Sequence, residues 1–363
     1  AIRRPDYTTH IGTAYPLAID AAIAALYRQQ RSYAPNPFFQ VDQLANNATA
    51  VADDVYGHDH WYALTQTASI QISTQTLQES GQPTNARLNQ NQAAAQRMGY
   101  ACILEAKEVQ KLRGQVLTFR PRVRISNSQS VHCAVLAWTG TADAVTSDVV
   151  TDWTSTGYST GAGFFITASG NLGTEGAQSL TPAVNTWADL PALTFTVGGT
   201  VNNLILFVWT TGTAAQNVTL DIGKVRLVPG DTAGEIYIPT FDETLRYAMR
   251  FFEKTFQYTV APAQNAGGLG ALAVAQAVGA SATTRLSWRF LVPKCEGVPT
   301  TTGVTYNPAA GNAHVRNDTT GTDCSGTSVL NAVTNMLNIE YVTPGGSAAG
   351  QLNWVHATAS RRL

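Results

Sequence analysis

Val116-Leu117-Thr118-Phe119-Arg120-Pro121-Arg122-Val123-Arg124-Ile125 and, a short step later, Val131-His132-Cys133-Ala134-Val135-Leu136-Ala137-Trp138 decide the fold class of this chain. The first stretch alternates apolar and polar residues, and the second runs apolar. Both are strand patterns, because successive side chains of a strand project to opposite faces. Thr139-Gly140-Thr141-Ala142-Asp143 follows as a turn. Working outward, the same patterns predict strands at 69–76, 101–107, 164–168, 193–197, 203–209 and 218–227, with 89–99 a short helical or irregular excursion. Strands at this spacing without helices between them predict a β-sandwich or jelly roll.

The flanks read differently. Residues 16–31 predict a helix. Pro16 suits its first turn, Ile19, Ile23, Leu26 and Tyr27 form one apolar stripe, and Arg28 and Arg31 favour its C-terminal dipole. Such a stripe is buried on the β domain, against copies of itself, or in a larger assembly. Residues 229–234 form a linker by composition. Residues 239–256 predict a second helix, capped by Asp242, with Leu245, Met249 and Phe252 or Phe256 on its stripe. Residues 264–282 are Ala- and Gly-rich and ambiguous. Strands at 286–292, 302–306, 337–341 and 352–356 predict a second, smaller β domain.

Of the 363 residues 44% are hydrophobic and only 13% charged, and the formal net charge is −1. That balance gives no electrostatic footprint for nucleic acid or anionic lipid. No apolar run approaches the roughly 18 residues a membrane span needs. Arg3 and Arg4 are not followed by an uninterrupted apolar core, so a soluble chain made inside the cell, without a signal peptide or membrane insertion, is expected. Cys102, Cys133, Cys295 and Cys324 show no zinc-type spacing. Bridges 102–133 and 295–324 are one reading, and free thiols buried in strands are the expected one, since a core of this size needs no staple.

Candidate chemistry is sparse. His58-Asp59-His60 would place two imidazoles on one face of a strand, but no third ligand follows in pattern, and an ordinary exposed turn is expected. Gly268-Leu269-Gly270 lacks the acidic residue of a dinucleotide fingerprint. No GxSxG elbow occurs, and the acids of the sandwich are scattered, so the chain is read as non-enzymatic, with no catalytic residue. Aromatic rings in turn-rich loops are the better candidates, because sugars stack their apolar faces on exposed rings while amides and hydroxyls read the substituents. Trp153, Tyr158 and Trp187, with Asp152 and Asn185 beside them, form the predicted carbohydrate site, and packing is the alternative for each ring. Trp138 and Trp209 end apolar strands and are predicted to be core.

Two aromatic-rich signatures carry a resemblance. Asn36-Pro37-Phe38-Phe39-Gln40-Val41-Asp42-Gln43 is followed by Tyr56…Asp59-His60-Trp61, and Val225-Arg226-Leu227-Val228-Pro229-Gly230 by the segment around Arg250-Phe251-Phe252. Phe290-Leu291-Val292-Pro293-Lys294…Pro299-Thr300 and Val304-Thr305-Tyr306-Asn307-Pro308 continue in the same order. In this arrangement the chain resembles a family of bacteriophage virion proteins of tail-fibre and structural type, whose first domain is similar to a carbohydrate-binding-module jelly roll. The likeness covers most of 36–363 and is weak across 139–191.

The resemblance implies an Asn turn leading into an aromatic–Gln strand at 36–43. It also implies a fibre or spike of the virion, a homotrimer, an anchoring N-terminal segment that docks on portal, capsid or tail components, and adhesion to host surface polysaccharide. A capsid or tail decoration protein with a purely structural role, of head-fibre kind among others, and a capsule-degrading enzyme are the alternatives. Jelly rolls of this kind often hold a structural calcium near the closing strand. Asp221 is similar to the acidic residue there, and Gln40 stands where its partner glutamate is expected, so no cofactor is expected beyond that one open question. The expected organisation is mainly β: an anchoring segment at 1–35, a jelly-roll sandwich at 36–232, a linker helix at 233–258 and a smaller C-terminal β domain at 259–363.

Overall fold

The computed structural model describes residues 31–45, 49–79, 81–231, 234–295 and 301–361. The expected helix at 16–31 lies outside them except for Arg31. The first thirteen strands are β1 (Thr49–Val51), β2 (Val55–Tyr56), β3 (Trp61–Thr65), β4 (Ile70–Glu79), β5 (Gln82–Asn89), β6 (Met98–Leu104), β7 (Val116–Ile125), β8 (Val131–Trp138), β9 (Leu172–Leu180), β10 (Ala188–Asp189), β11 (Leu193–Thr196), β12 (Asn203–Thr210) and β13 (Thr219–Pro229). They form two antiparallel sheets. One is seven-stranded, ordered β1-β4-β5-β13-β7-β10 with β11 also on β7. The other is six-stranded, ordered β2-β3-β6-β12-β8-β9. Strand membership switches between the sheets along the chain, and the result is a jelly-roll β-sandwich in a mainly β protein.

The core lies between the sheets. Ile70, Ile72, Ala86, Leu88, Phe119, Val123, Leu220 and Ile222 meet Trp61, Met98, Tyr100, Cys102, Cys133, Val135, Leu206 and Val208. In β7 the inward Phe119, Val123 and Ile125 alternate with Arg120, Arg122 and Arg124 on the outer face. The six-stranded sheet is apolar on both faces. Its outer face carries Tyr62, Leu64, Ala101, Ala134, Leu136, Ile205, Phe207 and Trp209, and Val149, Phe164 and Phe165 lie over them. This explains the continuous apolar runs of β8 and β12, every residue of β12 being buried.

Beyond the sandwich come α1 (Ala106–Gln110, between β6 and β7), α2 (Phe241–Met249) and the strands β14 (Phe252–Lys254), β15 (Leu272–Ala275), β16 (Thr283–Arg289), β17 (Thr301–Tyr306), β18 (Arg316–Asn317), β19 (Thr322–Asp323), β20 (Ser325–Val333), β21 (Met336–Val342) and β22 (Leu352–Ser360). Around β22 gather β14, β15, β17 and β18, with β19 beyond. The strands β16-β21-β20 form a separate three-stranded sheet. Leu286, Trp288, Leu337, Ile339, Tyr341 and Val355 fill the core between them. No helix among the described residues is long and apolar enough to cross a membrane.

Several expectations are corrected. The helix predicted at 239–256 stops at Met249, because Phe252–Lys254 is claimed by β22 through pairing with Ser360, Ala359 and Thr358. Its cap is Thr240, not Asp242: Thr240 and Glu243 form a reciprocal capping box. Residues 164–168 are not a strand; Phe165 makes one bridge to Val150 and the chain then turns. The aromatic–Gln segment 36–43 is not a strand either, but a turn with Asn36 and Phe39 at positive φ. The four cysteines are free and buried.

His58-Asp59-His60 is not an exposed turn. The three residues are buried at the junction of the two halves. His58 Nδ1 lies 3.0 Å from Tyr100 Oη and its Nε2 3.0 Å from Thr74 Oγ1. Asp59 accepts from the Gln43 backbone and side chain at 2.7 and 3.0 Å. The Gln43 amide also donates to Phe252 O at 2.8 Å. The His60 ring sits against Phe251 at 4.4 Å. These polar contacts tie the start of the sandwich to the strand that opens the C-terminal half.

Two predictions follow from this junction. Burial lowers the His58 pKa from 6.5 to about 3, so the folded state holds it neutral. Below pH 6.5 the unfolded chain takes up a proton that the folded chain refuses, so this contribution is full above pH 6.5 and is lost as pH falls toward 3. Urea titrations at pH 7 and 5 should show His58→Gln losing about 2 kcal/mol less stability across that interval than the parent. Equal losses would remove His58 as the source.

The second concerns Lys294, whose Nζ donates to Glu253 Oε2, Met249 O and Val292 O at 2.5, 2.6 and 3.1 Å in a fully buried setting. Lys294→Met strands the buried Glu253 charge and should cost about 3–5 kcal/mol, part of it restored by adding Glu253→Gln. A loss below about 1 kcal/mol in chemical denaturation would show that water reaches the carboxylate.

Candidate functional site

The loop 149–166 is laid over the outer face of the six-stranded sheet by two plugs. Phe164 stacks on Trp209 with centroids 5.1 Å apart, and Trp209 stacks on Phe207 at 4.7 Å. Phe165 closes the other side and bridges Val150. The loop turns where its sequence supplies turn chemistry. Asp152 accepts from Thr154 N and Oγ1 at 2.8 and 2.7 Å, and these bonds hold its carboxyl below the usual range. Gly157 has no room for a side chain, since a Cβ would lie 2.3 Å from Ala162 O.

Three predicted residues meet here. Trp153 is half-buried, edge-on to Phe164 at 5.8 Å and Phe207 at 6.2 Å. Tyr158 is half-buried against His132 at 4.6 Å, Phe164 at 5.0 Å and Trp209 at 5.4 Å. Asp152 is exposed at the rim. Sequence reasoning missed their neighbours. His132 and Trp209 face each other across the β8–β12 ladder. Arg97 acts electrostatically on His132, Tyr158 and Asp152. Four residues of this cluster hold buried polar atoms with no protein partner: Arg97 Nε and Nη1, His132 Nδ1, Tyr158 Oη and Trp209 Nε1. Burial, with Arg97 adding to it, lowers the His132 pKa to about 4, so at neutral pH the ring is uncharged. The sequence of β8 could have signalled His132, the one polar residue in an apolar run.

Trp187 and Asn185 lie elsewhere, beside the outer face of the seven-stranded sheet. Asn185 is exposed at positive φ in the turn before β10, with its N–H on Ile125 O at 2.8 Å. Trp187 is half-buried with the Arg124 guanidinium 5.3 Å from its ring centre. The five predicted residues therefore divide between two opposite faces of the sandwich.

Asp221, the residue expected near a structural calcium, does not fit one. Arg87 holds its two oxygens at 2.7 and 2.9 Å, and Arg124 donates to one of them at 2.8 Å. The guanidiniums occupy the positions a cation would need. No group of three His, Cys, Asp or Glu suited to a metal occurs among the described residues. A cavity of about 510 Å³ lies between segment 31–37 and α2, lined by Tyr33, Tyr237, Glu243, Tyr247 and Arg250 among others. Two of its charged groups are engaged in structure: Glu243 in the α2 cap and Arg250 with Glu105 at 2.8 Å.

No family model matches the chain, and no curated protein matches it. Among solved structures, it is similar to the enzymatically active domain of tailspike protein 4 of bacteriophage CBA120 (TM-score 0.31, 8% identity, 55% of this chain and 21% of that one). It is also similar to a family 22 carbohydrate-binding module of a Clostridium thermocellum xylanase (TM-score 0.30, 12% identity, 52% and 98%). A third is a putative sugar-binding protein of Bacteroides thetaiotaomicron (TM-score 0.33, 8% identity, 55% and 100%). The chain thus spans about a fifth of the tailspike chain it matches.

The floor of the cluster depends on Gly99, where a Cβ would lie 2.6 Å from Phe207, 2.7 Å from Trp209 Cβ and 2.7 Å from the Val208 carbonyl oxygen. Gly99→Ala should cost about 1–3 kcal/mol in thermal or urea unfolding and shift Trp209 fluorescence. An unchanged spectrum and stability would show that the ring stack yields without cost.

Proposed function

We propose that the chain is a non-catalytic glycan-binding protein of a phage virion appendage, a fibre or spike. The observation that carries the binding part is the cluster under loop 149–166. It sets half-exposed rings, Trp153 and Tyr158, beside polar atoms of Arg97, His132, Tyr158 and Trp209 that lack protein partners. A sugar offers what such a cluster lacks: hydroxyls that both donate and accept, on a ring whose C–H face stacks on aromatics. Neutral His132 can accept or donate through Nδ1, according to its tautomer, and Arg97 can only donate. The Arg97 guanidinium and the exposed Asp152 carboxylate at the rim offset each other in charge, which suits a sugar without net charge.

The virion placement rests on the order of motifs that resembles the phage family. Trimer formation, attachment through the N-terminal segment and contact with host polysaccharide belong to the same reading. Weak single sites multiplied over many copies on one particle would supply the avidity that adhesion needs. Binding without turnover is the chemistry proposed.

The test is a glycan array of bacterial surface polysaccharides, probed with the parent and with Trp153→Ala/Tyr158→Ala, folding being checked by circular dichroism. At least one glycan should bind, with affinity reduced at least about tenfold, or 1.4 kcal/mol, in the double variant. No bound glycan, or equal binding by a folded double variant, would leave the structural decoration role instead. Release of reducing ends from a bound glycan would reassign the chain as an enzyme.

A further inference from the structure

The outer face of the seven-stranded sheet is built unlike the rest of this sparsely charged chain. Alternate positions of β7 carry Arg120, Arg122 and Arg124, roughly 7 Å apart along the strand. Arg87 on β5 and Arg226 on β13 flank them. Among these five guanidiniums sit three carboxylates. Asp221 joins Arg87 to Arg124. Glu79 takes Arg122 from the side, and Asp189 lies among Arg122, Arg226 and Arg120. The face has an excess of two positive charges on a chain whose formal net charge is −1.

The charges are not all spent. Arg120, with its side chain 34% exposed, donates through Nε to Leu190 O at 3.1 Å, while its Nη2 stands 3.7 Å from Asp189. Trp187 lies against Arg124 with its Nε1 lacking a protein partner. Below the ion pairs Gln82 is folded over Gly223, where a Cβ would meet its amide at 2.3 Å. Both of its amide atoms and Asn85 Oδ1, all buried, also lack partners.

We infer that this face is a second binding site, for an acidic polysaccharide whose carboxylates engage Arg120 and its neighbours while a sugar ring packs on Trp187. Guanidinium forks recognise carboxylates bidentately, and the interleaved Asp189 and Glu79 accept from sugar hydroxyls. A ligand with both anions and hydroxyl donors suits this alternation. A phosphate backbone does not, because it would meet the three carboxylates without offering donors to them. The repeat along β7 suits a polymer. This site goes beyond the glycan reading above and shares no residue with the Trp153–Tyr158 cluster, so the two can fail separately.

The test uses the full chain, polygalacturonate as the probe and dextran as the neutral control, with binding followed by calorimetry at low and at moderate salt. Polygalacturonate should bind, dextran should not bind at this face, and salt should weaken the complex. Arg120→Gln and Trp187→Ala should each lose at least about fivefold in affinity with unchanged melting temperature, and Arg120→Lys should recover only part. Should Trp187→Ala unfold, Arg120→Gln alone decides, since Arg120 holds no buried ion pair. Equal binding of parent and Arg120→Gln, no binding of polygalacturonate, or tighter binding of duplex DNA than of polygalacturonate would each overturn the assignment. Loss of polygalacturonate in Trp153→Ala/Tyr158→Ala alone would move the acidic ligand to the other face.

Discussion

Burial of both faces of the six-stranded sheet is the constraint on which the rest of this structure depends. A sheet in a two-layer sandwich needs only one apolar face, yet here Ile205, Phe207 and Trp209 project away from the core as heavily as Leu204, Leu206 and Val208 project into it. Exposed, that second face would be an apolar patch of the size that marks association or aggregation. Loop 149–166 removes it from water with Phe164 and Phe165 as plugs, Val149 beside them and turns between. The candidate sugar site is a by-product of that cover. Where the plugs end, Trp153 and Tyr158 stay half-exposed beside the wholly buried Phe164–Trp209–Phe207 stack, and polar groups at its margin are left with neither water-facing geometry nor a protein partner.

The two halves of the chain are joined by polar groups rather than by an apolar seam alone. Gln43 reaches from Asp59 to the first carbonyl of β14, Tyr258 Oη donates to Gln40 O and accepts from Asp42 N, and Arg250 on the far end of α2 meets Glu105. Buried polar contacts of this kind add little net free energy beyond their desolvation, but they permit few alternative docking arrangements. That is the physical meaning of the aromatic signatures near residues 36–62 and 245–254. The rings fill the junction, and Asn36, Gln43 and Asp59 fix its register, with the Asn36 amide on Val41 O and Asp59 O.

Much of the fold was legible because strand periodicity is local. The alternation of β7 and the apolar runs of β8 and β12 can be read from neighbours alone. β9, Leu172–Leu180, could not be, since its sequence is polar and Gly-containing and it is a strand only because β8 offers it an edge. His58-Asp59-His60 misleads for the same reason: its composition suits a turn, and its burial is conferred by Thr74, Tyr100 and Phe251, distant in sequence. The helix at 239–256 ended early because β22, about a hundred residues on, competes for Phe252. Of the site, the ring types and Asp152 were readable. The separation of Trp153 from Trp187 was not, since it depends on which sheet each flanking strand joins.

The two outer faces differ in how they are kept soluble, and this bears on what each can bind. The six-stranded sheet hides its apolar face under a loop, so a ligand there must fit a fixed set of rings. Among the described residues, the seven-stranded sheet has no such cover over β7. It presents guanidiniums whose stems lie along the sheet and whose heads are neutralised by carboxylates. The pairs of Arg226 and Asp221 have already lost part of their hydration, since both residues are almost wholly buried. Arg120, its side chain 34% exposed, is held in place by its backbone contact to Leu190. Preorganisation of that kind raises the value of a charge-assisted bond above that of an exposed surface pair. A protein with few charges has concentrated many of its arginines on one face, and the packing of the sandwich core does not require them there.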